Sequence, residues 1–447
     1  MKTTTKRLFT LVLLTAIAVT GLSAPVQAQP PDGDIRARIE AVPGMRVVGE
    51  RPAAAPGQIV LDLAYRQPAD HRHPDRGSFD QRMTLVHKST LRPMVLYSNG
   101  YDLGPSPNRP AEPTDVLDAN QIATEQRFFG TSRPGGSDWS TLTIWQAASD
   151  HHRLIAALKK VYRGAWISTG GSKGGMTAVY HRRFYPQDVA GTVAYSAPNN
   201  TDDRDDTAYD ARLEQLGTAE CRAAIKSAQR EALTRRGSMT ERYGRWAEGE
   251  KKTFQIIGSA DRAFELAVLR LPMMFWMHQP ADGCAFIPPP TATDDALYAW
   301  VAEVTQLPVY TDQTLEAFTP YFYQLGTQLG YAQFTAPHLD GLLRYPGIQE
   351  MRTYVPKDIP LRFQTAAMAD IDRWVRHHGS SLMFVNGEND IAVAEPFRLG
   401  AGARDSYVFD VPGANHHISI KGLRPDDAER AATALRRWAG QAGTAVR

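Results

Sequence analysis

The stretch Gly170-Gly-Ser172-Lys-Gly174-Gly175 decides the fold that we predict for this chain of 447 residues. It matches the pattern G-x-S-x-G, in which a serine sits on a sharp turn between a strand and a helix. The flanking residues supply that context, because a strand-like apolar run precedes the turn at 166–169 and helical spacing begins at 176. Glycines permit the close backbone packing that so sharp a turn requires. The stretch therefore predicts Ser172 as a nucleophile, and a glycine-rich structural turn is the alternative.

A negative charge that develops beside Ser172 needs preorganised hydrogen-bond donors, which form an oxyanion hole. The residue after such a serine supplies one backbone N–H, and here that residue is Lys173. The second donor should come from the loop that follows the apolar run 93–98. That loop begins with Asn99 and Gly100, so one of these two residues is expected to complete the oxyanion hole.

A serine hydroxyl is a weak nucleophile at neutral pH and needs a base, which an acid in turn orients. Where the serine lies on such a strand–turn–helix, the acid and the base both follow it in chain order. Asp390 lies just after a late apolar run and is our choice of acid, with Glu388 as its rival. The base is one of two adjacent residues in the loop after the last predicted strand, and we choose His416 over His417.

Strand-like and helical stretches alternate from 93 to 196, which is typical of a parallel sheet with crossover helices. Before them, 58–65 and 79–87 contain alternating apolar and polar residues and predict an antiparallel hairpin. The whole pattern predicts an α/β-hydrolase fold, with a mostly parallel sheet and an inserted helical cap domain. The predicted parts are a signal peptide at 1–28, the first part of the hydrolase domain at 29–205, the cap at 206–360 and the second part of the hydrolase domain at 361–447.

The amino-terminal segment has a positive start, a short apolar core and small residues before Ala28, as a secretory signal peptide does. We expect cleavage after Ala28 and a secreted or periplasmic protein; a membrane anchor is the alternative. The segment contains three basic residues and no acid, so its removal changes the formal net charge from +2 to −1. A nearly neutral chain indicates neither nucleic acid nor an anionic membrane as a partner. Residues 29–56, rich in proline, alanine and arginine, look like a loosely ordered lead-in.

The chain has two cysteines, Cys221 and Cys284, and export permits a disulfide between them. Two separate buried thiols are the alternative. The C-x-x-C pattern is absent, so the sequence supports neither a redox motif nor a cysteine-rich zinc site. We expect no metal and no organic cofactor.

Several motifs together resemble the exported bacterial tripeptidyl aminopeptidases, serine peptidases related to prolyl carboxypeptidase and dipeptidyl peptidase II. The resemblance covers most of the chain and rests on these stretches: Gln67-Pro-Ala-Asp-His71, Glu125-Gln-Arg-Phe-Phe-Gly-Thr-Ser-Arg-Pro134, Asp138-Trp139, Trp166-Ile-Ser-Thr-Gly-Gly-Ser-Lys-Gly-Gly-Met176, Tyr195-Ser-Ala-Pro198, Gly387-Glu-Asn-Asp390 and Asn415-His416. It implies a triad of Ser172, Asp390 and His416, and a helical cap over the active site. It also implies the release of short peptides from free amino termini.

These observations predict a serine exopeptidase that removes short peptides, expected to be tripeptides, through an acyl-enzyme. A lipase or esterase on the same fold is the alternative, because a triad alone does not distinguish esters from amides; a non-catalytic binding protein is another. The expected partner is a peptide or protein substrate, and the oligomeric state is left open. Glu125 is a candidate for binding the substrate's charged amino group. Its alternative role is to pair with Arg127 or another basic residue and order its own loop.

Overall fold

A computed structural model describes residues 34–53, 55–136, 138–280 and 282–441. The predicted signal peptide and its cleavage site lie outside this part of the chain. The described residues contain a nine-stranded sheet with the strand order β1-β2-β3-β5-β4-β6-β7-β8-β9. The strands are β1 (Met45–Arg51), β2 (Ile59–Pro68), β3 (Ser78–His87), β4 (Met94–Ser98), β5 (Asn120–Thr124), β6 (Trp166–Gly171), β7 (Gly191–Tyr195), β8 (Leu382–Gly387) and β9 (Tyr407–Val411).

The sheet changes from antiparallel to parallel along its width. The predicted hairpin is present, since β2 and β3 pair in antiparallel register from Ile59↔His87 to Pro68↔Ser78. β3 also pairs antiparallel with β5, and every pairing from β5 to β9 is parallel. The fold is therefore the predicted α/β-hydrolase fold. The carboxyl ends of β4, β6, β8 and β9 lie along the same edge, where parallel α/β sheets place their binding sites.

Two apolar clusters cover opposite faces of the sheet. One contains Leu96 and Trp166 with residues of α1 (Ile35–Glu40) and α3 (Ile144–Leu158). The other contains Val95 and Ile167, the neighbours of those two strand residues in sequence, with residues of α12 (Pro425–Trp438). Successive strand residues point to opposite faces, so this alternation buries both sides of the central strands.

A long helical segment lies between β7 and β8, where the sequence predicts the cap. Its helices are α5 (Thr207–Leu213), α6 (Ala219–Thr234), α7 (Arg236–Gly249), α8 (Ala260–His278), α9 (Asp294–Thr305), α10 (Asp312–Gln324) and α11 (Ala366–His378); α2 (Glu112–Val116) and α4 (Lys173–Phe184) belong to the sheet region. A disulfide joins Cys221 of α6 to Cys284, which follows α8. Assigning 206–360 to a separate domain stays a prediction. Across the described residues, every helix is too short or too polar to cross a bilayer.

Three local expectations were wrong. The lead-in contains α1 and β1, because β1 pairs with β2 at every residue except Val48 and α1 buries Ile35 and Ile39. The sequence also predicts a strand over 121–129, but β5 ends at Thr124 and the residues after it form a buried loop. The helix expected from 176 begins at Lys173.

His151, on α3, is buried, and its Nδ1 has no hydrogen-bond partner among the described residues. Its Nε2 lies 3.1 Å from the hydroxyl of Thr124. Burial, together with a smaller contribution from the neighbouring His181, lowers the pKa of the imidazole from 6.5 to about 3. The next residue, His152, is partly exposed and stacks on Tyr185.

We expect His151 to make the fold sensitive to acid. Between pH 6.5 and about 3 the unfolded chain binds a proton that the folded chain does not, so stability falls as pH falls, by about 1.4 kcal/mol per pH unit for this one group. His151→Gln should remove that part of the slope. His152→Gln is the matched control and should keep it. The measurement is the free energy of unfolding in urea between pH 4.5 and 7, and equal slopes for wild type and His151→Gln would contradict the assignment.

Candidate active site

Ser172 sits between the end of β6 and the start of α4 in a strained backbone conformation. Its φ of 51° and ψ of −123° lie where side chains other than glycine are uncommon. Its N–H donates to the Tyr195 carbonyl at 2.8 Å, and its carbonyl accepts from Met176 N–H at 3.0 Å. These two bonds fix the turn from both sides. Held strain of this kind is typical of functional sites.

The turn depends on glycines that let three backbone segments meet. A Cβ on Gly170 would stand 2.4 Å from the Gly174 carbonyl, and a Cβ on Gly174 would stand 2.2 Å from the Ser98 carbonyl. A Cβ on Gly100, whose φ is +79°, would stand 2.6 Å from Gly174 N. The end of β4, the loop after it and the first turn of α4 are therefore in direct backbone contact.

The predicted oxyanion donors lie at this contact. Lys173 is the first residue of α4, where backbone N–H groups have no partner within the helix and the helix dipole favours negative charge. Asn99 lines the same cavity as Ser172, and its side-chain amide donates to the Asp102 carbonyl. The Gly100 carbonyl accepts a 2.5 Å hydrogen bond from the Lys173 ammonium.

Asp390 and His416 are directly hydrogen-bonded. The Nδ1 of His416 lies 2.8 Å from Oδ2 of Asp390, which is fully buried. The other carboxylate oxygen accepts from the Ala392 N–H at 2.9 Å, so both oxygens are engaged. This contact occupies Nδ1, so Nε2 is the ring nitrogen that the predicted triad would direct at the serine. The rival acid Glu388 instead accepts from the Gly413 N–H.

The carboxyl end of α8 holds the histidine loop in place. The His416 N–H donates to the Met277 carbonyl at 3.3 Å, and the Asn415 side-chain amide donates to the Gln279 carbonyl at 2.8 Å. His278 Nδ1 lies 3.3 Å from Nε2 of the exposed His417. Burial lowers the pKa of His278 to about 4, with smaller contributions from His416 and His417. The helical segment therefore contributes to the position of the candidate base.

A cavity of about 670 Å³ contains Ser172, His416 and His417 in its lining. The proline-rich loop 103–112 forms another part of its wall. Glu112 braces this wall, because its carboxylate accepts from the Tyr195 hydroxyl at 3.0 Å and from the Ile420 N–H at 2.6 Å. The candidate serine and base thus face one open space large enough for several residues of a peptide.

The structure places Glu125 outside this cavity. Its carboxylate is 1% exposed, and Oε1 accepts from the Ser132 hydroxyl at 2.8 Å and from the N–H groups of Ser132 and Thr131. Arg127, which was considered as its partner, binds Asp150 instead at 2.7 Å. Another basic residue, Arg82, lies 3.9 Å from Oε2. The geometry therefore favours the loop-ordering role, with Arg82 and the loop's own donors as partners, and Glu125 is not proposed as the amine-binding group.

Sequence reasoning missed His278, Met277 and Gln279. Two of these residues act through backbone carbonyls, for which sequence carries no signal. His278 ends a helix that is distant from the loop 415–417 in the chain. A single histidine at a helix end offers no local sequence pattern that would have identified it.

The chain matches the family described as PS-10 peptidase S37 over residues 28–447. It is 50% identical over 418 residues to the prolyl tri/tetrapeptidyl aminopeptidase of Streptomyces mobaraensis, covering 93% of this chain and 87% of that one. It is 34% identical over 155 residues to the lysosomal Pro-X carboxypeptidase of Mus musculus, covering 30% and 32% of the two chains. A solved structure of proline iminopeptidase from Mycobacterium smegmatis has a TM-score of 0.41 and 15% identity, covering 84% of this chain and 98% of that one.

The contrast between the two adjacent histidines can be tested directly. His416→Ala should lower kcat by a factor on the order of 10³ or more, because the hydrogen bond to Asp390 belongs to His416. His417→Ala should keep substantial activity, and it is the matched control for loop integrity. The measurement is steady-state hydrolysis of a peptide p-nitroanilide. A larger loss in His417→Ala than in His416→Ala would move the base to His417.

Proposed function

Because this chain belongs to the PS-10 peptidase S37 family and is a serine peptidase, we propose that it releases tripeptides and tetrapeptides from free amino termini. The observation that carries the proposal is the 50% identity to a prolyl tri/tetrapeptidyl aminopeptidase over 93% of the chain. That relative's name also supplies the preference that we propose for cleavage after a prolyl residue. The site chemistry supports peptide hydrolysis without adding to this specificity.

In the proposed mechanism, the Ser172 hydroxyl attacks the scissile carbonyl carbon. His416 accepts the hydroxyl proton at Nε2 and then donates it to the leaving amine, while Asp390 holds the ring through Nδ1. The Lys173 N–H and a donor from the loop at Asn99 and Gly100 stabilise the oxyanion. Water then attacks the acyl-enzyme with His416 again as the base, and the acid product leaves with Ser172 regenerated.

Export is part of the proposal. The amino-terminal pattern predicts a signal peptide that ends at Ala28. The disulfide between Cys221 and Cys284 supports the same compartment, because disulfides persist in oxidising environments outside the cytosol. A secreted or periplasmic enzyme would meet peptides and unfolded proteins as substrates.

The proposed specificity predicts a distinct product pattern. We expect a peptide p-nitroanilide with a free amine and proline as its third residue to be cleaved to the intact tripeptide. N-acetylation should lower kcat/KM strongly, because the acetylated substrate lacks the amino cation that an exopeptidase must bind. Mass spectrometry of products from a peptide library gives the length and the preferred residue. Cleavage of p-nitrophenyl esters without any cleavage of peptides would favour an esterase instead.

The nucleophile has its own test. Ser172→Ala should lower kcat by a factor on the order of 10³ or more and abolish labelling by a fluorophosphonate probe, with the fold unchanged. Ser406→Ala, in a turn outside the cavity, is the matched control and should be labelled normally. Persistent turnover in Ser172→Ala would remove both the nucleophile and the proposed mechanism.

A further inference from the structure

The side chain of Lys173 is buried beside the nucleophile and pairs with uncharged groups. The residue is 2% exposed, and its ammonium donates to the Gly100 carbonyl at 2.5 Å and to Oε1 of Gln126 at 2.7 Å. The rings of Tyr101 and Phe129 lie 5.4 and 5.3 Å from the nitrogen. These four groups surround a lysine that has no acidic partner among them.

This arrangement costs stability. Moving an ammonium from water into the interior without a counter-ion is expensive, and the amino end of a helix disfavours a further positive charge. Burial accordingly lowers the pKa of Lys173 well below 10.5. A methionine would fill similar space without this cost, so packing alone does not account for a lysine here.

The geometry gives the side chain a task in the oxyanion hole. Gly100 belongs to the loop that is expected to supply the second donor, and it packs so closely on α4 that a Cβ on it would stand 2.6 Å from Gly174 N. The lysine bond to the Gly100 carbonyl adds a second attachment between that loop and the first turn of α4. One residue thus contributes a backbone N–H to one wall of the oxyanion hole and a side chain that holds the other wall.

We propose that Lys173 is a positioning residue whose ammonium fixes the loop 99–101 against the amino end of α4, so that both oxyanion donors are in place before the substrate arrives. The inference rests on the proposed function and deepens it. Preorganised donors stabilise the transition state without reorganisation during the reaction. The expected consequence of losing the ammonium is a slower chemical step with little change in substrate binding.

The same network reaches the helical segment. Gln126, which accepts from Lys173, donates through Nε2 to Oε1 of Gln324 at 2.9 Å. Gln324 is the last residue of α10 and is fully buried. The loop that holds an oxyanion donor is therefore connected, through two amide side chains, to a helix that packs over it.

The test compares Lys173→Met with Lys160→Met, an exposed lysine of similar length. Lys173→Met should lower kcat per active site about 10-fold to 100-fold, less than the 10²–10³-fold typical of deleting an oxyanion donor, and change KM less than about threefold. Affinity for a peptide boronate, which mimics the tetrahedral intermediate, should fall in parallel with kcat/KM. Lys160→Met should match wild type in all three quantities.

Fluorophosphonate titration, taken to completion, counts the active sites and separates this role from a loss of folded protein. A merely structural role would lower the titrated fraction and leave kcat per site unchanged, and that result overturns the proposal. If Lys173→Met does not fold, Gln126→Leu decides the matter: it removes one of the two acceptors and should lower kcat per site several-fold, and an unchanged value overturns the proposal. Failure of the proposed function is distinguishable, because the wild-type protein itself would then release no tripeptide or tetrapeptide from peptide substrates.

Discussion

The contact of three backbone segments at Ser172 is the constraint on which the rest of the site depends. The end of β4, the loop at Gly100 and the first turn of α4 approach so closely that a Cβ on Gly100, Gly170 or Gly174 would collide with backbone atoms. This contact requires β4 and β6 to be neighbours in the sheet, as they are. It also brings the two expected oxyanion donors together, so the strand order and the chemistry follow from the same packing.

The helical segment contributes to the geometry of the candidate site. The end of α8 supplies carbonyl acceptors to Asn415 and His416. At the end of α10, the side-chain oxygen of Gln324 accepts a hydrogen bond from Gln126. The base loop and the oxyanion loop therefore both depend on helices that lie between β7 and β8. If the proposed site is correct, a change in the packing of these helices would affect the reaction even where it touches no substrate.

The sequence predicts what local patterns encode. The strand–turn–helix at Ser172, the hairpin of β2 and β3, and an acid after a late strand follow from residue spacing alone. The contacts that bring distant segments together are not encoded locally: the partners of Glu125, the burial of His151 and the place of His278 depend on which surfaces the fold brings together. β1 was missed for a similar reason. Its charged residues and exposed Val48 do not form a strand-like pattern by themselves, and the strand is evident only from its pairing with β2.

The position of the helical segment has a consequence for how the chain folds. β7 and β8 are neighbours in the sheet, with Thr192 opposite Leu382, yet the whole helical segment separates them in sequence. Pairings between such distant residues form slowly, and until β8 arrives the edge of β7 is an open template for aggregation. Both cysteines lie inside the intervening segment, 63 residues apart, so oxidation can cross-link that segment before the sheet is complete. Early oxidation would stiffen the intervening chain, shorten the search for the β7–β8 pairing and reduce the time during which an unfinished sheet is exposed.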